Sequence, residues 1–360
     1  MAVIERYMIA SKFADVWVLL GPHRGDNHQV LALAEGLGLP FRPIQMRYRW
    51  FAHLPAAFRS ITISQLQPEA RAEIAPPWPS LVIGIGQRSA PVARFIKERS
   101  GGRATIVRLG DPMVSPRFFD LVITTTQYAV RDAENVVRLP VTITNPPTTP
   151  DCAEARWLDS FPRPRRLIAI GGATSLWQLR SSTISSVART LLQRAEREGG
   201  SVIAVTSPRT SSRLAAAARA VLGSFAVVDG DFPRYTALLS AADEMHVTGD
   251  SVSMLSEAVA LGKPTGLIPL EPNPIGRLIR AVEAIRGKAF RIRDLSKFWN
   301  DLGVRGLIGS VEEPHRGTLD AEALETACDA VNAALEGKLP ETVVRIRVRA
   351  GRRTPRAVTG

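Results

Sequence analysis

The sequence predicts an α/β protein built from two doubly wound domains that face each other across a cleft. Short, almost continuously apolar runs recur along the 360 residues, and such runs are typical of strands buried on both faces of a parallel sheet. Helical patterns separate them, as in residues 182–198, where apolar side chains recur at spacings of three and four. This alternation indicates βαβ units. The predicted strands are residues 16–20, 81–85, 105–109, 121–125, 167–170, 201–206, 225–228, 245–248 and 265–268.

One proline-rich stretch interrupts the alternation. Residues 139–166 carry many prolines and few signs of a continuous element, which is typical of a linker or an exposed connection. Strands and helices alternate on each side of it. We therefore predict a first domain over residues 1–150, a second domain over residues 160–340 and a basic tail over residues 341–360.

Composition and charge limit the function class. A net charge of +12 favours acidic partners, such as nucleotides or an anionic membrane surface. Nucleic acid is not favoured, because no zinc finger or aromatic-rich RNA-binding signature accompanies the basic residues. Cys152 and Cys328 stand far apart without a metal-binding pattern, which is typical of a reducing compartment. Charged residues interrupt the apolar N-terminus, and no run approaches the roughly 18 apolar residues of a membrane-spanning helix, so we expect a cytoplasmic protein.

Candidate site residues follow the predicted strands, because open parallel sheets bind ligands beyond the carboxyl ends of their strands. The candidates in the first half are Gly21, His23, Gly25, Asp26, His28, Gln87 and Arg88. Glycines before a helix expose backbone N–H groups to an anion or a polar ligand, and the ionisable cluster suggests catalysis or substrate contact. The first loop lacks the full glycine fingerprint of dinucleotide binding, so NAD is poorly supported. We expect no metal, because no obvious third or fourth ligand accompanies the aspartate and histidines.

The loops of the second half are rich in glycine and hydroxyl groups. Their candidate residues are Gly171, Gly172, Thr174, Ser207, Arg209, Thr210, Ser251, Ser253, Met254 and Glu257. Glycines permit close approach of a ligand to the backbone, and hydroxyls can donate to phosphate oxygens. Ser251 is placed as the N-cap of a helix, and Ser253 falls in its first turn, where an anion can bind. Glu257, one turn later, can accept two hydrogen bonds from a ribose diol, so these loops favour a nucleotide.

Three stretches resemble the elongated-mitochondria (ELM) family, whose plant members act in mitochondrial fission. They are residues 21–39 (GPHRGDNHQVLALAEGLGL), 205–211 (VTSPRTS) and 249–266 (GDSVSMLSEAVALGKPTG). The resemblance implies two Rossmann-like domains of the GT-B type, similar to the enzyme that adds N-acetylglucosamine in peptidoglycan synthesis. It places Gly171 and Gly172 at that enzyme's glycine pair, and Ser251, Ser253 and Glu257 at its nucleotide-binding helix.

The first loop departs from that enzyme. Asp26 stands where the enzyme has its catalytic histidine, and His28 follows two residues later.

The resemblance implies one leading function and leaves two alternatives open. The leading function is a metal-independent, inverting transfer of a sugar from a nucleotide-activated donor such as a UDP-sugar, with no cofactor. Asp26 or His28 would deprotonate a cell-envelope or lipid-linked acceptor at the inner face of the plasma membrane, and Arg209 would offset the charge of the leaving diphosphate. The alternatives are a non-catalytic adaptor that recruits a protein partner at a membrane, and a nucleotide-sugar epimerase.

Overall fold

A six-stranded parallel sheet forms the core of the first domain. The computed structural model describes residues 16–53, 61–145, 147–286 and 293–337. The strands of this sheet are β1 (Val16–Leu20), β2 (Phe41–Gln45), β3 (Leu81–Ile85), β4 (Thr105–Leu109), β5 (Leu121–Thr124) and β6 (Val136–Arg138). They pair in the order β2-β1-β3-β4-β5-β6, so the direction of winding reverses between β1 and β3. In doubly wound sheets a ligand crevice opens at such a reversal.

A five-stranded parallel sheet forms the core of the second domain. The strands of the second half are β7 (Arg165–Ile170), β8 (Trp177–Gln178), β9 (Ser201–Thr206), β10 (Val227–Val228), β11 (Glu244–Thr248), β12 (Thr265–Ile268) and β13 (Glu271–Pro272). The large sheet has the order β10-β9-β7-β11-β12, while β8 and β13 form a separate antiparallel pair. Winding reverses between β7 and β11. Each domain therefore offers one crevice at the carboxyl ends of its central strands.

Helices connect the strands, and the longer ones that pack on the sheets bury an apolar stripe. The helices are α1 (Arg24–Gly36), α2 (Pro68–Ala72), α3 (Ala90–Arg99), α4 (Cys152–Leu158), α5 (Ser181–Glu198), α6 (Ser212–Leu222), α7 (Tyr235–Ala241), α8 (Val252–Ala260), α9 (Pro274–Arg286), α10 (Leu295–Val304) and α11 (Ala323–Leu335). The α5 helix, for example, buries Ile184, Val187 and Leu191, at the spacing of three and four that its sequence shows.

All nine strands predicted from the sequence are present, with ends that shift by a few residues. The strand β2 was not predicted, because Pro43 interrupts its apolar pattern. It lies at the edge of its sheet, where a proline is tolerated because one side of the strand forms no ladder. The short strand β6 was also not predicted. The predicted fold class of two doubly wound α/β domains is confirmed.

The last helix crosses back to the first domain. The α11 helix packs against α1, β4 and β5. Gly36 of α1 permits this contact, because a Cβ there would lie 2.8 Å from Leu324 and 3.0 Å from the sulfur of Cys328. The predicted domain boundaries stay a prediction. They assign residues 323–335 to the second domain, whereas the contacts of this helix described above are with elements of the first domain. The predicted basic tail lies outside the described residues.

The predicted linker contains a short helix, α4, that is tied to the second domain. The Asp151 side chain caps this helix by accepting from the backbone N–H groups of Ala153 and Glu154, and the Glu154 carboxylate accepts from the backbone N–H of Asp151. Glu154 is buried, and it accepts hydrogen bonds from the backbone and the guanidinium of Arg234. Because these donors stabilise the charged form, with Arg234 first, the pKa of Glu154 is lowered to about 2.

We expect Glu154→Gln to lower the free energy of unfolding by about 1–3 kcal/mol at pH 7, because charge-assisted hydrogen bonds to Arg234 are lost. The folded-state pKa is below the unfolded one, so this stabilisation is present above pH 4.5 and is lost as pH falls toward about 2. Denaturant unfolding across this pH range checks it. Glu73→Gln, in an exposed ion pair with Arg42, is the control. Equal losses in both variants would contradict the role of Glu154.

Candidate functional site

A cavity of about 470 Å³ lies between the two domains, at the carboxyl ends of both sheets. Its first-domain wall is formed by the start of α1 and by the ends of β3, β4 and β5. Its second-domain wall is formed by the loops after β7, β9 and β11. The polar side chains that line it are His23, Asp26, Gln29, Thr124, Thr125, Gln127, Tyr128, Thr142, Thr174, Ser175, Arg209, Asp250, Ser251, Ser253 and Arg293. Both winding reversals therefore open into one space.

A second cavity of about 390 Å³ adjoins the first. Arg293 and first-domain residues line it, including Gly21, Gln87 and Arg88, which are among the first-half candidates predicted from the sequence. The two cavities share Asp26 among their lining residues. A group bound in either cavity would thus lie next to this carboxylate. We refer to the two spaces as the interdomain cavity and the first-domain cavity.

The N-termini of two helices lie close together at the interdomain cavity. The α1 helix begins after His23 and the α8 helix begins after Ser251; within the described chain, neither is capped by a side-chain hydrogen bond. Their first-turn N–H groups have no acceptor inside the helix, and they carry the positive ends of the helix dipoles. The hydroxyl oxygen of Ser253 lies 3.4 Å from the position of a Cβ on Gly25, so the two helix starts are close together. This arrangement suits an anion.

Asp250 is the buried carboxylate of the second-domain wall. Its Oδ2 accepts a hydrogen bond from the N–H of Gly172 (2.9 Å) and pairs with the guanidinium of Arg209 (2.8 Å). Its Oδ1 is buried without a hydrogen-bond partner among the described residues. Arg209 is 48% exposed and lines the cavity, so Asp250 holds this arginine in place from behind. Asp250 was not among the predicted site residues, although its place directly after a buried strand was a usable signal.

The glycine pair Gly171 and Gly172 has a packing role. A Cβ on Gly171 would overlap the carboxylate of Asp250, and one on Gly172 would overlap the carbonyl of Arg209. Their N–H groups are already used, because Gly171 donates to the hydroxyl of Thr248 (2.8 Å) and Gly172 donates to Asp250. The residues of this loop that line the interdomain cavity are Ala173, Thr174 and Ser175.

Two of the predicted hydroxyl ligands stabilise their own loop. The hydroxyl of Thr210 lies within hydrogen-bond distance of the carbonyls of Ile170 (2.7 Å) and Gly171 (2.8 Å), and it accepts from the N–H of Ser207 (2.8 Å). Hydroxyl-rich loops satisfy backbone groups in this way as readily as they bind a ligand. Of the predicted residues in this loop, Arg209 is the one that the structure brings to the cavity.

Glu257 lies one turn into α8 and faces α7. It is half-buried beside the hydroxyl of Tyr235, and its Oε2 has no hydrogen-bond partner within the described ranges. Burial raises the pKa of Glu257 to about 7, while Tyr235 opposes the rise. Burial also raises the pKa of Tyr235, and the neighbouring carboxylate adds to that effect. Neither Glu257 nor Met254 is among the residues that line the two cavities.

Asp26 lies in the first turn of α1 and faces both cavities. Burial raises its pKa, while the charges of His23 and Arg293 oppose the rise. Arg293 donates a hydrogen bond to Gln127 (2.6 Å), and its guanidinium lies 5.8 Å from the ring centroid of Tyr128. The sequence did not indicate these three residues as part of the site, because loops far apart along the chain bring them to Asp26.

The two histidine candidates, His23 and His28, differ in their position relative to the cavities. His23 lines both cavities, whereas His28 is exposed on α1 and belongs to neither described lining. The loop before α1 is fixed by Asn27, whose side chain accepts from the N–H of Gly21 (2.8 Å) and donates to its carbonyl (2.9 Å). Asp26 is therefore the better placed of the two predicted bases.

Among the described residues, no three histidine, cysteine, aspartate or glutamate side chains stand close enough together to bind a metal ion. Within the same ranges, no helix combines the length and the apolar character that crossing a membrane requires. The predicted independence from metal and cofactor, the anionic membrane surface, the low preference for nucleic acid and the cytoplasmic location stay predictions.

A family model described as mitochondrial fission ELM1 matches residues 24–300, from the start of α1 into α10. The chain belongs to the mitochondrial fission ELM1 family. No curated protein sequence is similar enough to this ELM1-family chain to count as a match.

The ELM1-family chain is similar in structure to several solved proteins. A Listeria monocytogenes protein assigned as a UDP-N-acetylglucosamine 2-epimerase has a TM-score of 0.50 and 11% identity, over 92% of this chain and 98% of that one. A UDP-GlcNAc 2-epimerase from Methanocaldococcus jannaschii has a TM-score of 0.48 and 11% identity, over 88% of this chain and 99% of that one. Arabidopsis thaliana UGT89C1, complexed with quercetin, has a TM-score of 0.43 and 12% identity, over 91% of this chain and 96% of that one. At 11% identity the likeness to the Listeria protein concerns the fold alone, and together with the two parallel sheets it confirms the predicted GT-B-like fold.

We expect Gly171→Ala to lower the free energy of unfolding by about 1–3 kcal/mol, because the added methyl group displaces the buried Asp250 carboxylate. Gly21→Ala is the matched control, since a Cβ there meets no atom within 4 Å. Denaturant unfolding of both variants measures the difference. If the two variants unfold alike, the packing role of Gly171 is wrong.

Proposed function

We propose that this ELM1-family protein transfers a sugar from a nucleotide-activated donor to a hydroxyl group of an acceptor, with inversion and without a metal. The observation that carries the proposal is the convergence of the α8 N-terminus, Arg209 and Asp26 on one interdomain cavity. A diphosphate requires positive potential and N–H donors, which a helix N-terminus provides. Sugar transfer requires a base on the opposite wall, which Asp26 provides. The assignment of the Listeria protein makes a UDP-sugar the first donor to test.

The donor would bind to the second domain. Its diphosphate would accept hydrogen bonds from the first turn of α8, including Ser253, and would face the guanidinium of Arg209. Glu257, one turn further, is the proposed ribose ligand. Glu257 lies outside the two described linings, but its Oε2 is buried without a hydrogen-bond partner among the described residues, so the ionised carboxylate could accept from a hydroxyl group.

The acceptor would bind in the first-domain cavity, which opens onto Asp26. Asp26 would take the proton of the acceptor hydroxyl as its oxygen bonds to the anomeric carbon of the sugar. The bond from that carbon to the β-phosphate oxygen breaks at the same time, and its electron pair leaves with the diphosphate. The α8 N-terminus and Arg209 would stabilise the charge on this leaving group. Because attack and departure occur on opposite faces of the carbon, the configuration inverts.

A nucleotide-sugar epimerase is the second candidate function. The similarity to the Listeria protein, at a TM-score of 0.50, favours it. An epimerase would convert a UDP-sugar to its epimer without an acceptor, whereas a transferase consumes donor in proportion to acceptor. A chain that binds no nucleotide would instead fit an adaptor that recruits a protein partner at a membrane.

We expect Arg209→Gln to weaken UDP binding at least tenfold, because a charge-assisted contact to the diphosphate is lost. Calorimetric titration of UDP, with ADP, GDP and CMP in parallel, measures it. Arg180→Gln is the matched control, since Arg180 is 53% exposed and pairs with Glu271 outside the described cavity lining. Equal weakening in both variants, or no nucleotide binding by the wild type, would contradict the donor site.

We expect Asp26→Asn to lower transfer at least 100-fold while the affinity for UDP changes less than about threefold, because Asp26 is the base and does not bind the nucleotide. The wild-type rate should rise with pH through a pKa above the ordinary aspartate value, and the variant should lack this limb. Radiolabelled sugar transfer from UDP-sugars into an acceptor extract measures both.

The exposed Glu35→Gln of the same helix is the control for Asp26→Asn. Loss of activity in His28→Gln, with activity kept in Asp26→Asn, would show that His28 is the base instead.

A further inference from the structure

The charged side chains of the first-domain cavity lie in two regions. Asp26 and Asp111 line it, and the charges of both act on the hydroxyl of Tyr128, so the three groups belong to one region. Arg88 and Tyr48 line another region, where the guanidinium of Arg88 lies 5.8 Å from the ring centroid of Tyr48. The region next to the interdomain cavity thus combines these two carboxylates with Arg293, whose charge also acts on Asp26 and Tyr128. Arg88 forms a separate arginine end at the turn after β3.

A buried arginine stands behind the arginine end. Arg108 of β4 is fully buried, and its guanidinium donates a hydrogen bond to the carbonyl of Gly86, a residue that lines the cavity. Its Nε and Nη1 atoms have no hydrogen-bond partner among the described residues. It lies close enough to Tyr48 for the two groups to influence each other's ionisation.

The charge of Arg108 is not balanced by a carboxylate within the described part of the chain. The ring of Phe119 also lies nearby, with its centroid 5.8 Å from the guanidinium. Burial lowers the pKa of Arg108 to about 10, so the side chain stays positive near neutral pH. A buried cation without a counter-ion is costly. Its field extends through the protein toward the cavity, since the interior screens charge weakly.

Arg88 is the arginine that lines the cavity on the side of Arg108. It is half-buried, it lines the cavity, and no ion pair joins it to a described carboxylate. An arginine fork binds phosphate or carboxylate oxygens in pairs, and it does so more strongly where the local potential is positive. A neutral ligand would leave Arg88 without an anionic acceptor.

We infer that the acceptor carries an anionic group, a phosphate or a carboxylate, which binds to Arg88 in the field of Arg108 while the reacting hydroxyl lies at Asp26. This inference rests on the proposed function for the direction of the acceptor in the cavity. The anion-binding end itself depends on Arg88, Arg108 and Tyr48 alone. The acceptor is therefore a molecule with a hydroxyl group at one end and a negative charge at the other.

The first experiment titrates glycerol 3-phosphate and, separately, glycerol into the wild-type protein, with saturation-transfer NMR as the readout. We expect binding of the phosphate and none of the neutral alcohol, and at least tenfold weaker binding in Arg88→Gln. Arg49→Gln is the matched control, because Arg49 also stacks on an aromatic ring, that of Phe51, outside the described lining of the cavity. The affinity for UDP should be equal in all three proteins.

Arg108→Met tests the buried charge. A field effect predicts glycerol 3-phosphate binding that is three- to tenfold weaker, whereas a purely structural role predicts a changed melting temperature with unchanged binding. If Arg108→Met does not fold, the result for Arg88→Gln still decides the inference.

Vesicles of phosphatidylcholine with and without phosphatidic acid separate a lipid-borne phosphate from a soluble one. Binding to phosphatidic acid that is lost in Arg88→Gln, without binding of glycerol 3-phosphate, would support a lipid-borne anion. Binding that is equal in the wild type and Arg88→Gln, or binding of neither probe by the wild type, would overturn the inference. A failure of UDP to bind would remove the donor site and leave the result for Arg88 intact.

Discussion

The carboxylate of Asp250 holds together three loops on which the interdomain cavity depends. It lies in the loop after β11, it accepts from Gly172 in the loop after β7, and it pairs with Arg209 in the loop after β9. A fully buried carboxylate is costly unless charged and hydrogen-bonding partners surround it. The loops are therefore fixed relative to one another. Gly171 and Gly172 are required because other residues would exclude this approach.

The opposite wall of the cavity is fixed through α1. Asn27 closes the loop at its start onto Gly21 with two hydrogen bonds, and α11 packs on its end at Gly36. The α11 helix comes last in the described chain yet stabilises the helix that begins the first crevice. Because both ends of α1 are held, the distance from its N-terminus to Ser253 depends on contacts made by both halves of the sequence.

The fold was more predictable than the site. Buried parallel strands produce apolar runs that sequence reveals directly, and nine of them were found. The site residues were harder, because glycine and hydroxyl groups at strand ends serve packing as well as ligands. Thr210 illustrates this, since its hydroxyl is used by Ile170 and Gly171. Arg293 could not be predicted as a site residue, because nothing in its local sequence indicates that it lies beside Asp26.

The α4 helix is a different case, because its sequence contains a helix-start pattern that the surrounding prolines obscured. Asp151 followed three residues later by Glu154 is a capping-box pattern, which indicates a helix start. The surrounding prolines favoured a linker instead. Both indications were correct in part, because the segment connects the two domains and contains one short helix. Local capping chemistry should therefore be weighed even inside proline-rich stretches.

The pair of Arg209 and Asp250 explains how a carboxylate can stand beside a phosphate site. An unpaired aspartate at this place would repel a diphosphate, because the interior screens charge weakly. Here the Asp250 side chain is fully buried, and the guanidinium of Arg209 and the N–H of Gly172 offset its charge. The pair then acts as a dipole whose positive end faces the cavity. Added to the α8 N-terminus, it provides positive potential without a full unbalanced charge, so a ligand can bind and its product can leave.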